Sequence, residues 1–212
     1  MTRIPFPPMK RSLVAILRGI KPSETIEIVD GLIDCGFTAI EIPLNSPDPF
    51  NSIEMAAKRA PADVLIGAGT VLTVTNVDRL HDVGGRLMVS PNVEPEVIRH
   101  AASRGMVTMP GVFTPSEALA ACAAGASALK FFPASVLGPS GINAISAILP
   151  KDVPVGAVGG VSNGDFAAYA KIGVRTFGLG SSLYKAGMVA SEVLQRGAEA
   201  IAAYDALAEQ GL

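Results

Sequence analysis

Lys130 stands in the run Ser-Ala-Leu-Lys-Phe-Phe-Pro, an ammonium at the end of an otherwise apolar segment. Desolvation there lowers a lysine's pKa. The neutral amine adds to a ketone to give a Schiff base, whose iminium is an electron sink for carbon–carbon cleavage. A second misplaced charge is Glu41, between Ile40 and Ile42 in AIEIPLN. A carboxylate is costly to bury without a partner or a task. The task it suits is general acid/base work, shuttling protons to a carbinolamine and to a substrate hydroxyl. Both residues also admit a structural reading, in which Glu41 merely pairs with Lys130 or Arg18. Arg18 ends SLVAILR and supplies a planar cation suited to a carboxylate. Thr70 ends LIGAGT and offers a hydroxyl, or simply a backbone-bonded strand threonine.

Two Gly-rich turns carry a different signal. Gly159-Gly160-Val161-Ser162 and Gly178-Leu179-Gly180-Ser181-Ser182 each close an apolar run and read as leading into helix starts. Bare backbone N–H groups in such turns suit a phosphate, which makes Gly159, Gly160, Gly180 and Ser181 binding candidates; glycine also simply permits a tight turn. His81 and His100 fall in helical segments and read as outer-layer residues. With no carboxylate cluster around Glu41, a metal site has no support. Cys35 and Cys122 are the two cysteines, both in helical segments, which excludes a disulfide framework and reads as buried thiols. Met88, Met106 and Met109 read as core filler.

These residues need elements to position them. Eight short β-rich runs recur, SLVAILRG, TAIEIPLNSP, DVLIGAGTV, RLMVSPN, MVTMPGV, SALKFFP, VPVGAVGG and RTFGLGS. Helical segments lie between them, opened by signals such as Pro22-Ser23-Glu24 and Thr114-Pro115-Ser116-Glu117 and closed on Gly36, Gly105, Gly125 and Gly173. Strand and helix alternating eight times predict an α/β fold, a (β/α)8 TIM barrel built as a single domain over residues 1–212. The expected last strand residues are Arg18, Glu41, Thr70, Ser90, Pro110, Lys130, Gly159 and Gly180. Every candidate above therefore lies at or near the C-terminal rim, where barrel active sites form. Ala186 to Leu207 reads as an Ala-rich helix or helix pair covering the barrel or a neighbouring subunit.

Composition sets the outer bounds. In 212 residues, 49% are hydrophobic and 17% charged, with 22 glycines spread along the chain, which argues for a folded protein. The net charge of -2 and the lack of a basic stripe argue against nucleic acid. The apolar stretch after the N-terminal basic residues is too short for a signal peptide, and Pro133, Gly138 and Pro139 break the longest uncharged stretch, residues 131–150. A cytoplasmic protein with no membrane span is expected.

The motifs AILRG, EIPLNSP, GAGTVL, SPN, PG, ALKFFP, AVGGV and GLGSSLY, in that order, resemble those of the KDPG/KHG aldolases. These are class I enzymes that cleave 2-keto-3-deoxy-6-phospho sugar acids. The resemblance spans about Ser12 to Tyr204. It implies a Schiff base on Lys130 and acid/base work by Glu41. It implies keto-acid binding by Arg18 and Thr70, phosphate binding by Gly160, Gly180 and Ser181, a homotrimer, and no cofactor. Asn45 in EIPLNSP, and KFFPASVLGP after the lysine, depart from the phosphogluconate-cleaving members and are similar to the phosphogalactonate branch. That branch releases pyruvate and D-glyceraldehyde 3-phosphate. Phe113 and Val136 are expected to flank the pocket. The competing readings are the gluconate epimer or dual specificity, a ketose-phosphate epimerase on the same scaffold, and a non-catalytic phosphosugar-binding barrel.

Overall fold

Parallel strands covered on both faces must be apolar along their whole length, and the eight runs meet that demand. The structure is a computed structural model and describes residues 3–211. Its strands are β1 (Leu13–Ile16), β2 (Ala39–Pro43), β3 (Leu65–Gly69), β4 (Leu87–Val89), β5 (Val107–Met109), β6 (Gly111–Val112), β7 (Leu129–Phe131), β8 (Val155–Val158) and β9 (Thr176–Leu179). All pairs are parallel, in the order β5-β4-β3-β2-β1-β9-β8-β7-β6. β5 and β6 are halves of one barrel strand, interrupted at Pro110, which has no N–H to give to the ladder. Its carbonyl still accepts from Lys130 N at 3.0 Å, so the circuit closes and the expected (β/α)8 barrel is present.

The outer layer consists of α1 (Pro22–Cys35), α2 (Pro49–Arg59), α3 (Val74–Asp82), α4 (Pro95–Ser103), α5 (Pro115–Ala123), α6 (Ala134–Ser146), α7 (Phe166–Ala170) and α8 (Ala190–Glu209). Sequence signals set their ends. Pro22 and Pro115 open α1 and α5, and Thr114 and Glu117 form the capping box expected of them. Gly36 ends α1 at φ 108°, donating to Ile33 O at 2.8 Å, a conformation other residues avoid. The residue 131–150 stretch bends at Gly138 inside α6, and no described helix is long and apolar enough to cross a membrane. α8 is one helix, and it covers this chain's own α1: Leu194 and Leu32 pack where a side chain at Gly31 or Gly197 would have to sit.

One element carries no periodicity and was not anticipated. The extended N-terminal segment lays Ile4, Phe6 and Met9 against the inner barrel core of Val14, Leu87 and Val107, and Arg3 pairs with Asp152 at 2.6 Å, just before β8. It thereby stops the N-terminal mouth and leaves the C-terminal mouth open. Phe6→Ala is expected to lower unfolding stability by about 1–2 kcal/mol, below the full cost of a wholly buried Phe because Phe6 is only half-buried. Urea unfolding measures it, and an unchanged midpoint would show that the plug bears no stability.

Candidate active site

The predicted rim residues straddle the strand ends. β2 runs two residues past Glu41 and β7 one past Lys130, whereas β1 stops two before Arg18 and β3 one before Thr70. A cavity of about 130 Å³ opens there, lined by Arg18, Lys130, Gly159, Gly160, Gly180 and Ser181, together with Ile16, Phe132, Val158, Val161 and Gly178. Larger hollows, such as one of about 450 Å³ between α1 and the start of α8, hold neither Lys130 nor Arg18. Glu41, Thr70 and Asn45 are not in the cavity wall. Glu41 lies buried behind it, and Asn45 is exposed and reaches it through Arg18, whose Nη1 donates to Asn45 Oδ1 at 2.5 Å.

Lys130 is 6% exposed and its Nζ sits 4.9 Å from the Phe132 ring centroid. No carboxylate lies within ion-pair distance of it among the described residues, so the structural pairing with Glu41 is not made. Burial pushes the Lys130 ammonium below the usual lysine range; Glu41 opposes this and Arg18 adds to it. Glu41 is 1% exposed, and its Oε2 has no hydrogen-bond partner. Burial raises its carboxyl group to about 7, against the pull of Lys130, of Arg18 and of the Gly69 backbone. Two groups of opposite ordinary charge are thus both driven toward their neutral forms, as nucleophile and proton shuttle require.

Register explains the room around Lys130. Lys130 is paired with Gly111 on one side and Gly156 on the other, so no neighbouring side chain on the ladder crowds it, whereas Glu41 has Gly67 on one side and Ile16 on the other. Thr70 holds φ 57°, a left-handed conformation that a β-branched residue adopts only when its surroundings impose it, at a cost of about 1–3 kcal/mol. Such strain concentrates at functional sites.

At the other end of the cavity the N–H groups of Gly160, Val161, Gly180 and Ser181 donate to no group among the described residues. Gly160 has φ 72°, and a Cβ there would stand 2.4 Å from Ser135 Oγ. Ser182 Oγ donates to Val161 O at 2.9 Å and ties the two turns together. The first turn leads, as expected, through a capping box of Ser162 and Asp165 into a 3-10 turn (Asn163–Asp165) and α7. The second does not: Gly180 O accepts from Leu183 N and Tyr184 N, forming a closed turn, and α8 begins only at Ala190. Phe113 and Val136 are exposed and outside the cavity wall, so they do not flank this cavity. Phe132 lines the cavity and was not anticipated, although it lies in the KFFPAS run.

His81 and His100 lie on the outer helices, where His100 Nε2 meets Asp78 at 2.7 Å and Arg104 meets His81 at 2.9 Å. The described residues hold no cluster of metal-ligating side chains.

The profile of "Aldolase: KDPG and KHG aldolase" matches residues 9–201. A probable 2-dehydro-3-deoxy-6-phosphogalactonate aldolase of Rhizobium meliloti (strain 1021) is 72% identical over 207 residues, 98% of each chain. The 2-dehydro-3-deoxy-6-phosphogalactonate aldolase of Escherichia coli (strain K12) is 47% identical over 195 residues, 92% of this chain and 95% of its own. The solved structure of native KDPGal superposes with a TM-score of 0.93 at 45% identity, covering 95% of this chain and 98% of that one. With the fold, the lysine-bearing cavity and the profile in agreement over most of its length, the chain belongs to the KDPG and KHG aldolase family.

Proposed function

We propose that the protein, acting as one aldolase domain, cleaves 2-dehydro-3-deoxy-6-phospho-D-galactonate to pyruvate and D-glyceraldehyde 3-phosphate through a Schiff base on Lys130. The observation that carries this reading is the buried Lys130, free of any ion pair, beside a Glu41 whose carboxyl group titrates at about 7. The neutral Lys130 amine adds to the C2 ketone. Glu41 passes a proton to the carbinolamine oxygen, which leaves as water, and the iminium forms. Removal of the C4 hydroxyl proton breaks the C3–C4 bond, releases the aldehyde and leaves the electron pair in an enamine. Protonation at C3 and hydrolysis then return pyruvate and the free amine.

Arg18, aligned by Asn45, is the cation for the substrate carboxylate, with Thr70 beside it. The four unpaired N–H groups at Gly160, Val161, Gly180 and Ser181 suit the phosphate. The galactonate configuration rests on the names of the two curated relatives. Parallel turnover assays on the two C4 epimers test it, and preference for the gluconate epimer would overturn it. The mechanism uses no cofactor. The working form is read as a homotrimer, tested by light scattering of the purified protein.

Borohydride reduction in the presence of pyruvate, followed by mass spectrometry, tests the core of the proposal. An adduct of pyruvic acid less one oxygen on Lys130 is expected, and its absence overturns the Schiff-base reading. Gly160→Ala forces a side chain against Ser135 from a left-handed backbone. It is expected to raise KM for the phosphorylated substrate by roughly 10- to 100-fold, or about 1.4–2.7 kcal/mol, while leaving pyruvate trapping intact. An unchanged KM would move the phosphate elsewhere.

A further inference from the structure

Glu41 is seated by a neighbour that has no side chain. Gly69 ends β3 and pairs with Pro43 of β2, so its backbone passes beside the strand that carries Glu41. A Cβ placed on Gly69 would stand 2.1 Å from Glu41 Oε2 and 2.5 Å from both Cδ and Oε1. The three nearest atoms it would meet are thus the whole carboxyl group. Those separations lie far inside van der Waals contact, so any larger residue at position 69 must evict the carboxyl group.

The backbone itself makes no such demand. Gly69 is not among the positive-φ glycines, and an alanine there would adopt its conformation without strain. Its flatness toward Glu41 is the feature that only glycine supplies. Glu41 has little freedom to yield, since it is buried on the strand with Lys130 and Arg18 the charged groups that act on it. Position 69 also lies one residue before the strained Thr70, so the chain turns out of β3 directly beyond the slot.

We propose that Gly69 is a positioning residue for the reaction: by omitting a side chain it forms the slot that holds the Glu41 carboxyl group in working reach of Lys130. This rests on the Schiff-base reading of Lys130 and Glu41 given above. Gly69 is not in the cavity wall and acts through Glu41. Shortening the acid should therefore make room for the methyl group that glycine excludes.

The experiment compares wild type with Gly69→Ala, Glu41→Asp, Glu41→Ala and the double variants that combine Gly69→Ala with each Glu41 change. Gly69→Ala is expected to lower kcat by roughly 100-fold with KM changed less than about threefold, since the loss falls on proton transfer and not on binding. Pyruvate trapping on Lys130 still goes to completion, more slowly. Glu41→Asp in the Gly69→Ala background is expected to recover at least about tenfold over Gly69→Ala alone, a non-additivity that a general packing defect does not produce.

The Glu41→Ala pair keeps the test decisive if Gly69→Ala folds poorly. With the carboxyl group gone the methyl has nothing to strike, so Gly69→Ala should leave the Tm of the Glu41→Ala protein unchanged. A kcat for Gly69→Ala within threefold of wild type, losses that simply multiply in the Asp double variant, or an equal Tm loss with and without the Glu41 side chain each overturn the proposal. Failure of the wild type to take up pyruvate overturns the Schiff-base reading instead, and the Tm comparison still reads the slot.

Discussion

Lys130→Ala is expected to abolish turnover, by about 10⁴-fold or more, as loss of a covalent nucleophile does elsewhere. Lys130 is the only lysine in the cavity wall, and Arg18, the other cation there, cannot give up its proton to become a nucleophile. No second amine is in place to replace it. Lys130→Arg is expected to fail equally, because a guanidinium stays charged where the chemistry needs a neutral amine. Lys130→Ala should not cost the fold, whereas Lys130→Arg buries a guanidinium that cannot shed its charge and should be less stable. Burial that lowers the Lys130 pKa penalises the ammonium in the folded state, so at neutral pH it opposes folding, and Lys130→Ala removes that penalty. Steady-state assay of pyruvate release, borohydride trapping and thermal unfolding together check this. Residual cleavage within tenfold of wild type in a well-folded Lys130→Ala protein would remove the Schiff base from the mechanism.

That Lys130 and Glu41 are visible in the sequence follows from the same physics that makes the fold visible. Strands covered on both faces are continuous apolar runs, so a charge within one stands out, and both charges sit where the barrel opens. Helix ends were legible for a similar local reason: the Thr114–Glu117 box and Gly36 act within a few residues of chain. What could not be read depends on partners distant in sequence. The glycines beside Lys130 are Gly111 and Gly156, on two other strands, and only the ladder register brings them together. The N-terminal plug is extended and rich in proline, so it has no period; its role comes from the open mouth it fills. Thr70 gives no sign of its left-handed backbone, because the turn out of β3 imposes it. The turn after β9 shows the opposite error, a local Gly-Ser pattern read as a helix start where the chain instead closes on Gly180.

Glu41→Gln is expected to cut kcat by about 10²- to 10⁴-fold, the range a positioned acid/base supplies, with pyruvate and phosphate binding little changed. Its pH behaviour is the more discriminating readout. Wild type should show an inflection in kcat near pH 7, where the Glu41 carboxyl group titrates, and the Gln variant should lose it. Stability should depend on pH as well. Because burial raises this carboxyl group from 4.5 to about 7, between those values the folded protein keeps a proton that the unfolded chain has released, and stability falls as pH rises. Above pH 7 the full cost, about 3 kcal/mol, weighs on the native state, and the attraction of Lys130 and Arg18 for the carboxylate is already part of that net figure. Gln carries no such cost, so its stability advantage over wild type should be small at pH 5 and grow by pH 8, measured by urea unfolding at both. The two readouts separate role from burial. A flat activity profile in wild type would assign proton transfer to another group, whereas a Gln advantage that does not change between pH 5 and 8 would mean that Glu41 is ionised throughout and stays so because Lys130 and Arg18 hold it.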